Sequence, residues 1–469
     1  MILRARPLAA ALLAALVALP AALDAQGAAA PRRPFGTLRE QAAVQQRWLE
    51  QRLKTTLPAL MRKHGVDAWV IPMREYNEDP TFSSLVSPTT FAARRRTIYV
   101  FFDRCAADGR TDPGDGSCVE RIALGGTSQG GLYEARRAMQ AVPGDLTGRQ
   151  AELWGDQQWS VLKQELEEKQ PKVIAINVSR TFAFTDGLTA GERDGMTEML
   201  GPALASRFRP AEALALDFIA ARLPEEAEFY AKLQALVWEL SQRMFSAEVV
   251  KPGVTRTSDL VWWWRQQVND LGLGTWFQPS IEVQRKGATD AQLGEDPVIQ
   301  RGDVLHSDLG ITALGLNTDT QHMAYVLLPG ETEAPAGLAA ALRKSNQLQD
   351  IVMEELRAGR TGNQVLASSL ARMKAAGIDG TVYSHPIGKH GHGAGPIVGL
   401  WDYQDGVPGR GDATVIPNMW YSIELQATSP VPEWGGQRVR MAQEEDAVIG
   451  PNGVARWALK RQDRLFLVR

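Results

Sequence analysis

The sequence predicts two domains in series, an α/β domain followed by an α+β domain, and three observations predict it. Between Thr37 and about Ala215, helix-like and strand-like segments alternate, as in helices packed on a sheet. Beyond Leu223, helical runs are segregated from strands that pair with their neighbours, which describes an α+β arrangement. The chain has 469 residues, enough for about two domains of ordinary size.

In the first domain, helix-like TLREQAAVQQRWLEQRLKTTLPALMRKHG leads into strand-like VDAWVIP. TIYVFF and RIALGG read as further strands, followed by a helix around ELWGDQQWSVLKQELEEK and the strand KVIAINVS. Arg94, Arg95 and Arg96 abut TIYVFF and read as the charged flank of an edge strand. In the second domain, Pro224, Glu225 and Glu226 start a helix running to Val250, with Pro252-Gly253 ending it. Thr257 to Leu271 forms another helix, carrying Trp262, Trp263 and Trp264. Three consecutive aromatics cannot share one helical face, so part of this surface is expected to meet another domain or a second subunit, and a homodimer is predicted. Helices follow from about Pro335 to Ala358 and from Gly362 to Ala376, the second with a Thr361 to Gln364 capping box. No repeat of solenoid period is present.

A hydrophobic content of 44% and a charged content of 22% are those of a soluble globular protein. A formal net charge of −3 gives no reason to expect nucleic acid or an anionic membrane as partner. Residues 1–25 read as a secretory signal peptide: Arg4 and Arg6 precede an Ala/Leu run from Leu8 to Leu23, and Leu23-Asp24-Ala25 supplies a cleavage site. Residues 26–36 read as a disordered leader, leaving domains at 37–215 and 223–469. The expected location is periplasmic or secreted, with no membrane attachment after cleavage. In an oxidising compartment, Cys105 and Cys118, which enclose the turn-rich AADGRTDPGDGS, are expected to form a disulfide.

The chemistry concentrates in the second domain. Asp308 and Asp319 interrupt runs that otherwise read as buried strand, and a turn near Ala313 and Leu314 would set them directly opposite each other in a hairpin. Adjacent buried carboxylates repel unless a cation neutralises them. Five of the six histidines, His306, His322, His385, His390 and His392, lie in the same region. Glu424 in MWYSIELQA and Glu445 in VRMAQEEDAVIG add two acids in strand-like surroundings. Glu444 competes with Glu445 for its place, and His390 competes with His392. Asp308, Asp319, one of these histidines, Glu424 and Glu445 make a ligand set for two divalent ions, Mn²⁺ foremost, with Zn²⁺, Co²⁺ or Fe²⁺ as alternatives. Two such ions can share a water whose pKa falls towards ~7, and hydrolysis is the natural reaction.

Order and spacing resemble a family. The Asp pair eleven apart, Gly391-His392-Gly393-Ala394-Gly395, the Ser-Ile-Glu strand at Glu424 and the terminal Glu445-Asp446 resemble the creatinase, prolidase, aminopeptidase P and methionine aminopeptidase family of pita-bread metallohydrolases, over residues 225 to 455. The preceding α/β domain resembles the creatinase-like amino-terminal domain of the two-domain Xaa-Pro peptidases. The resemblance implies that Asp308 chelates the first ion, that Asp319 bridges both, and that His392 and Glu424 bind the second. Glu445 would bridge and accept a proton, while His385 or His306 would stabilise the tetrahedral intermediate. It further implies a metallopeptidase acting on proline-containing peptides, as an aminopeptidase or a dipeptidase, through a metal-bound hydroxide. Two other readings stand beside it: a metal-containing peptide-binding protein without hydrolysis, and creatinase-like C–N hydrolysis. Two positions depart from the family: no histidine occurs in RKGATDAQLGEDPVIQRGD before Asp308, and Gly399 stands where members carry a histidine beyond the metal histidine. His306 and His322 flank the Asp pair and are candidates to replace the missing donors.

Overall fold

The computed structural model describes residues 33–137, 139–142, 144–152 and 155–469. The signal-peptide segment, residues 1–25, and residues 26–32 of the leader lie outside the described residues. The last leader positions depart from the expected disorder. Phe35 meets Phe229 edge-on at 4.8 Å, and Arg33 donates to the carbonyl of Asp270 at 3.0 Å. One aromatic in a small-residue tract is enough to anchor it.

The two expected sheets are present. The first has six strands in the order Glu134–Arg136, Val119–Leu124, Arg96–Asp103, Ala68–Arg74, Ile174–Ile176 and Phe208–Pro210. The central strands Arg96–Asp103, Ala68–Arg74 and Ile174–Ile176 are buried on both faces, which is why they read as continuous apolar runs. Along Ala68–Arg74, Ala68 and Val70 enter one core with Ile98, Val100 and Trp159, while Trp69 and Ile71 enter the other with Tyr99, Phe101 and Phe218. The expectation that Arg94 to Arg96 flank an edge fails, because Arg96–Asp103 lies inside the sheet. Arg96 is buried and binds Glu192 through two hydrogen bonds of 2.8 Å, with its guanidinium 4.7 Å from the Trp159 ring. Cys105 and Cys118 are disulfide-bonded.

The second sheet has nine strands. Six form a path: Asp379–Val382, Trp420–Val431, Gln437–Ile449, Thr320–Val326, Val304–Leu309 and Ser280–Gln284. His385–Ile387 and Ala455–Trp457 pair with the two long central strands, and Phe466–Val468 pairs with Thr320–Val326. The helix Ala336–Glu355 packs Leu348, Ile351 and Val352 against Tyr421, Ile423 and Leu425. The helices Pro224–Met244 and Thr257–Asp270 cover Leu305, Leu309 and Ala324. The first of these stops six residues short of Val250, because the Ser246 hydroxyl donates to the Arg243 carbonyl and accepts from the Glu248 N–H. Of the three tryptophans, Trp264 is buried in the core, Trp263 lies beneath Arg243 and Trp262 is exposed. No helix among the described residues is long and apolar enough to cross a membrane.

Replacing Glu192 by Gln leaves the buried Arg96 without its bidentate partner. Urea unfolding is expected to show a loss of about 3 kcal/mol; a loss under about 1 kcal/mol would mean that Asp156, 3.2 Å from Arg96, carries the charge alone.

Candidate metal centre

Alternation along Val304–Leu309 sends Leu305 and Leu309 into the helix-covered core, so His306 and Asp308 project the other way. The hairpin that returns the chain turns at Leu314 and Gly315, both with positive φ (50° and 70°), the backbone that a two-residue primed turn requires. This is one residue later than the sequence suggests. Moving a turn by one position shifts the strand register by two, which keeps every side chain on its face. Asp308 therefore sits opposite Gln321, and Asp319 is the residue next to the Leu309–Thr320 pair. The two carboxylates are diagonal neighbours, not directly opposed.

Register extends this line across the sheet. Gln321 pairs with Glu444, and Glu444 pairs with Glu424, giving a row of Asp308, Gln321, Glu444 and Glu424 on four adjacent strands. Gln321 donates through Nε2 to both Glu424 and Glu444, and its Oε1 lies 3.0 Å from His306 Nε2. Glu445 faces elsewhere. It is buried against His322, with Oε1 3.0 Å from Nε2. Glu445, expected as bridging ligand and proton acceptor, therefore lies away from the cluster and Glu444 stands in it instead, because neighbouring residues on a strand point to opposite faces.

The histidine assignments also change. His385, on a short strand paired with Ser422, has Nδ1 3.0 Å from the Pro386 carbonyl. That hydrogen bond assigns the proton to Nδ1 and leaves the Nε2 lone pair free. Nε2 lies 3.2 Å from Glu444, 3.7 Å from Asp319 and 3.9 Å from Glu424. His385 Nε2 therefore stands among the carboxylates, in one donor group with Glu424 and Glu444 and in another with Asp319 and His392. His392 is exposed, with its ring 4.7 Å from that of His385 and 5.2 Å from that of Trp276. His390 packs against Phe184 instead, with the two rings tilted and 4.6 Å apart. His306 is held between Gln321 and Glu282 (3.3 Å), and His322 is enclosed behind the sheet, so neither stands free to replace a missing donor.

The profile of metallopeptidase family M24 matches residues 233–449, a span that contains Asp308, Asp319, His385, Glu424 and Glu444. This segment belongs to family M24. The M24 segment and the preceding sheet together share their fold with an X-Pro aminopeptidase from Thermotoga maritima MSB8, at 15% identity and a TM-score of 0.57, over 87% of this chain and 100% of that one. An Xaa-Pro dipeptidase from Bacillus anthracis matches at 16% identity and 0.53, over 91% and 99%. The N-terminal domain of the FACT complex subunit SPT16 from chickpea matches at 10% and 0.50, over 90% and 99%, so the fold by itself does not decide an activity. No curated protein matches the chain in sequence.

Whether the M24 residues present here suit divalent cations can be judged from their surroundings. Asp308 Oδ1, Asp319 Oδ1 and His385 Nε2 are buried without a hydrogen-bond partner, an arrangement that native proteins avoid unless something else satisfies the atoms. Burial, then the adjacent Glu444 charge, pushes the Asp308 carboxyl up to about 7. The same two causes, in the same order, hold Asp319 and Glu424 well above the usual range. Donor atoms of three groups lie within 4.8 Å of one another: Asp308, Asp319 and Glu444; His385, Glu424 and Glu444; and Asp319, His385 and His392. The residues fit a cation. Tyr383 also belongs here, since burial, then Glu424 and Glu444, raise its phenol pKa far above normal. Its position before Ser384-His385 carries no sequence signal that would have singled it out.

Two outcomes are expected. Glu444→Gln lowers Mn²⁺ affinity by at least about 100-fold, whereas Glu445→Gln leaves it within about threefold and instead lowers stability by about 2 kcal/mol; equal metal loss in both variants, measured by elemental analysis, would undo the register argument. In metal-free protein, Asp308 binds its proton more tightly when folded (about 7) than when unfolded (about 4), so its contribution to stability is present at low pH and is lost as pH rises through 7. Thermal unfolding should show Tm falling from pH 5 to 8 and Mn²⁺ flattening the fall; a metal-free Tm that rises over this range contradicts the assignment.

Proposed function

We propose that this protein is a metal-dependent hydrolase of proline-containing peptides, in which Asp308, Asp319, His385, Glu424 and Glu444 would hold the divalent cations. The observation that carries this is Glu444's membership in two donor groups, with Asp308 and Asp319 on one side and His385 and Glu424 on the other. Bound divalent ions would polarise a peptide carbonyl and bring the pKa of a shared water towards ~7. The ligand donors suit Mn²⁺, Zn²⁺, Co²⁺ or Fe²⁺.

The chain's own residues do the rest. The Pro386 carbonyl keeps the His385 proton on Nδ1, and the Gln321 amide fixes the orientation of Glu424 and Glu444. The Tyr383 hydroxyl, kept protonated by burial and then by its carboxylate neighbours, is a donor for the substrate carbonyl oxygen. His392, exposed beside the cluster, is the second donor. Arg410 lies close enough for its charge to lower the His392 pKa, and it has no acidic partner among the described residues. A guanidinium near His392 suits the terminal carboxylate of a short substrate, which favours a dipeptidase over an aminopeptidase. Export to the periplasm or beyond is supported by the Cys105–Cys118 disulfide. The exposed Trp262 supports a homodimer.

Full-length protein supplied with Mn²⁺ is expected to release proline from Xaa-Pro dipeptides. His385→Ala should lower kcat/KM by at least about 100-fold, and Arg410→Ala should raise KM for dipeptides about tenfold with kcat little changed. Peptide binding without turnover under Mn²⁺, Co²⁺, Zn²⁺ and Fe²⁺ would instead identify a binding protein. Turnover of small C–N substrates by protein free of metal would favour the creatinase-like reading.

A further inference from the structure

A second cavity, of about 320 Å³, lies between the amino-terminal helices, the loop following Pro80 and the loop after His385. Among its lining residues are Arg52, Ser84, Glu226, Gly315 and Lys389. Its charge does not balance. Arg52 and Arg222 are 2% and 3% exposed, Lys389 is half-buried beside them, and the one acid acting on all three is Glu226. Glu226 lies 3.4 Å from Arg222 and 3.9 Å from Arg52, and its other task is to accept the Leu223 N–H at 2.6 Å. Three cations therefore share one carboxylate.

The donors of this cavity are also unmet. Arg52 spends its two terminal nitrogens on the carbonyls of Ala221 and Phe218, and its Nε is buried with no acceptor. Ser84, 2% exposed, has a buried Oγ without a partner. The Lys389 ammonium makes no hydrogen bond or ion pair among the described residues, and burial, then the Arg222 charge, lowers its pKa to about 8. A side chain at Gly315 would bring its Cβ within 3.2 Å of Lys389 Nζ, so glycine is what leaves that nitrogen room. Unmet buried donors with excess positive charge call for an anionic acceptor.

We infer that this cavity binds a small oxyanion, a phosphate or a free carboxylate, held by Lys389, Arg52 Nε and Ser84 Oγ. The site is tied to the metal centre through backbone. Asn317, two residues before Asp319, donates through Nδ2 to the carbonyls of Gly388 (3.2 Å) and Lys389 (3.0 Å), and the same loop continues to His392. The inference stands independently of the proposed peptidase reaction.

Calorimetric titration of the full chain with inorganic phosphate and, separately, acetate, at constant ionic strength in chloride, tests it. One saturable site per chain is expected, weakened at least tenfold in Lys389→Met and at least threefold in Ser84→Ala, and unchanged in Glu444→Gln. Preference for phosphate or for acetate identifies which oxyanion the cavity takes. Should Lys389→Met fail to fold, Ser84→Ala decides. Absence of saturable binding of either anion, binding that neither cavity variant weakens, or binding lost in Glu444→Gln would overturn the inference.

Discussion

Mutual repulsion among Asp308, Asp319, Glu424 and Glu444 is the constraint around which the second half of the molecule is organised. Four carboxylates, three on strands and Asp319 just before the start of a fourth, are held in a buried cluster, where like charges raise one another's pKa and solvent offers little screening. A fold tolerates this only if the strands are fixed by forces larger than the repulsion. Those forces are visible on the other sides of the same strands: Leu305 and Leu309 beneath the Pro224–Met244 helix, and Ile423 and Leu425 beneath Ala336–Glu355. Apolar burial, at roughly 25 cal/mol per Å², supplies the rigidity, and the charge supplies the chemistry.

Gln321 shows how the cluster is kept ordered. It stands in the row where a fifth carboxylate would be intolerable, and a neutral amide donates through Nε2 to Glu444 beside it and to Glu424 beyond. Its carbonyl then meets His306, whose other nitrogen reaches Glu282 and, through it, Arg440. The acids are thus oriented by groups that carry no net negative charge themselves. His385 is handled the same way by the Pro386 carbonyl, which selects the tautomer.

Particular residues explain what the sequence could and could not disclose. Glu424 is legible as an acid between Ile423 and Leu425, an inconsistency that local reasoning detects, and Asp308 and Asp319 as acids beside the strand-like runs of one hairpin. Glu444 and Glu445 were not separable, since both are acids on one strand and both are buried; only the pairing of Glu444 with Gln321 and Glu424 distinguishes them. The place of His385 among the acids carries no such signal in the sequence, because the proton on Nδ1 depends on a carbonyl whose direction is set by the fold, and His392 stands beside it in a donor group with Asp319. Arg96 was misread because a strand's own residues do not say whether it lies at an edge or in the middle.

The turn at Leu314-Gly315 has a consequence for how such a chain can change over time. A length change there lengthens a loop or slides the hairpin by an even step, and each acid stays on its side of the sheet. The same change inside Trp420–Val431 or Gln437–Ile449 would invert the strand and turn Glu424 or Glu444 into the helix-covered core. Tolerance to insertion and deletion is therefore concentrated at the turn, and the two long strands are left with almost none.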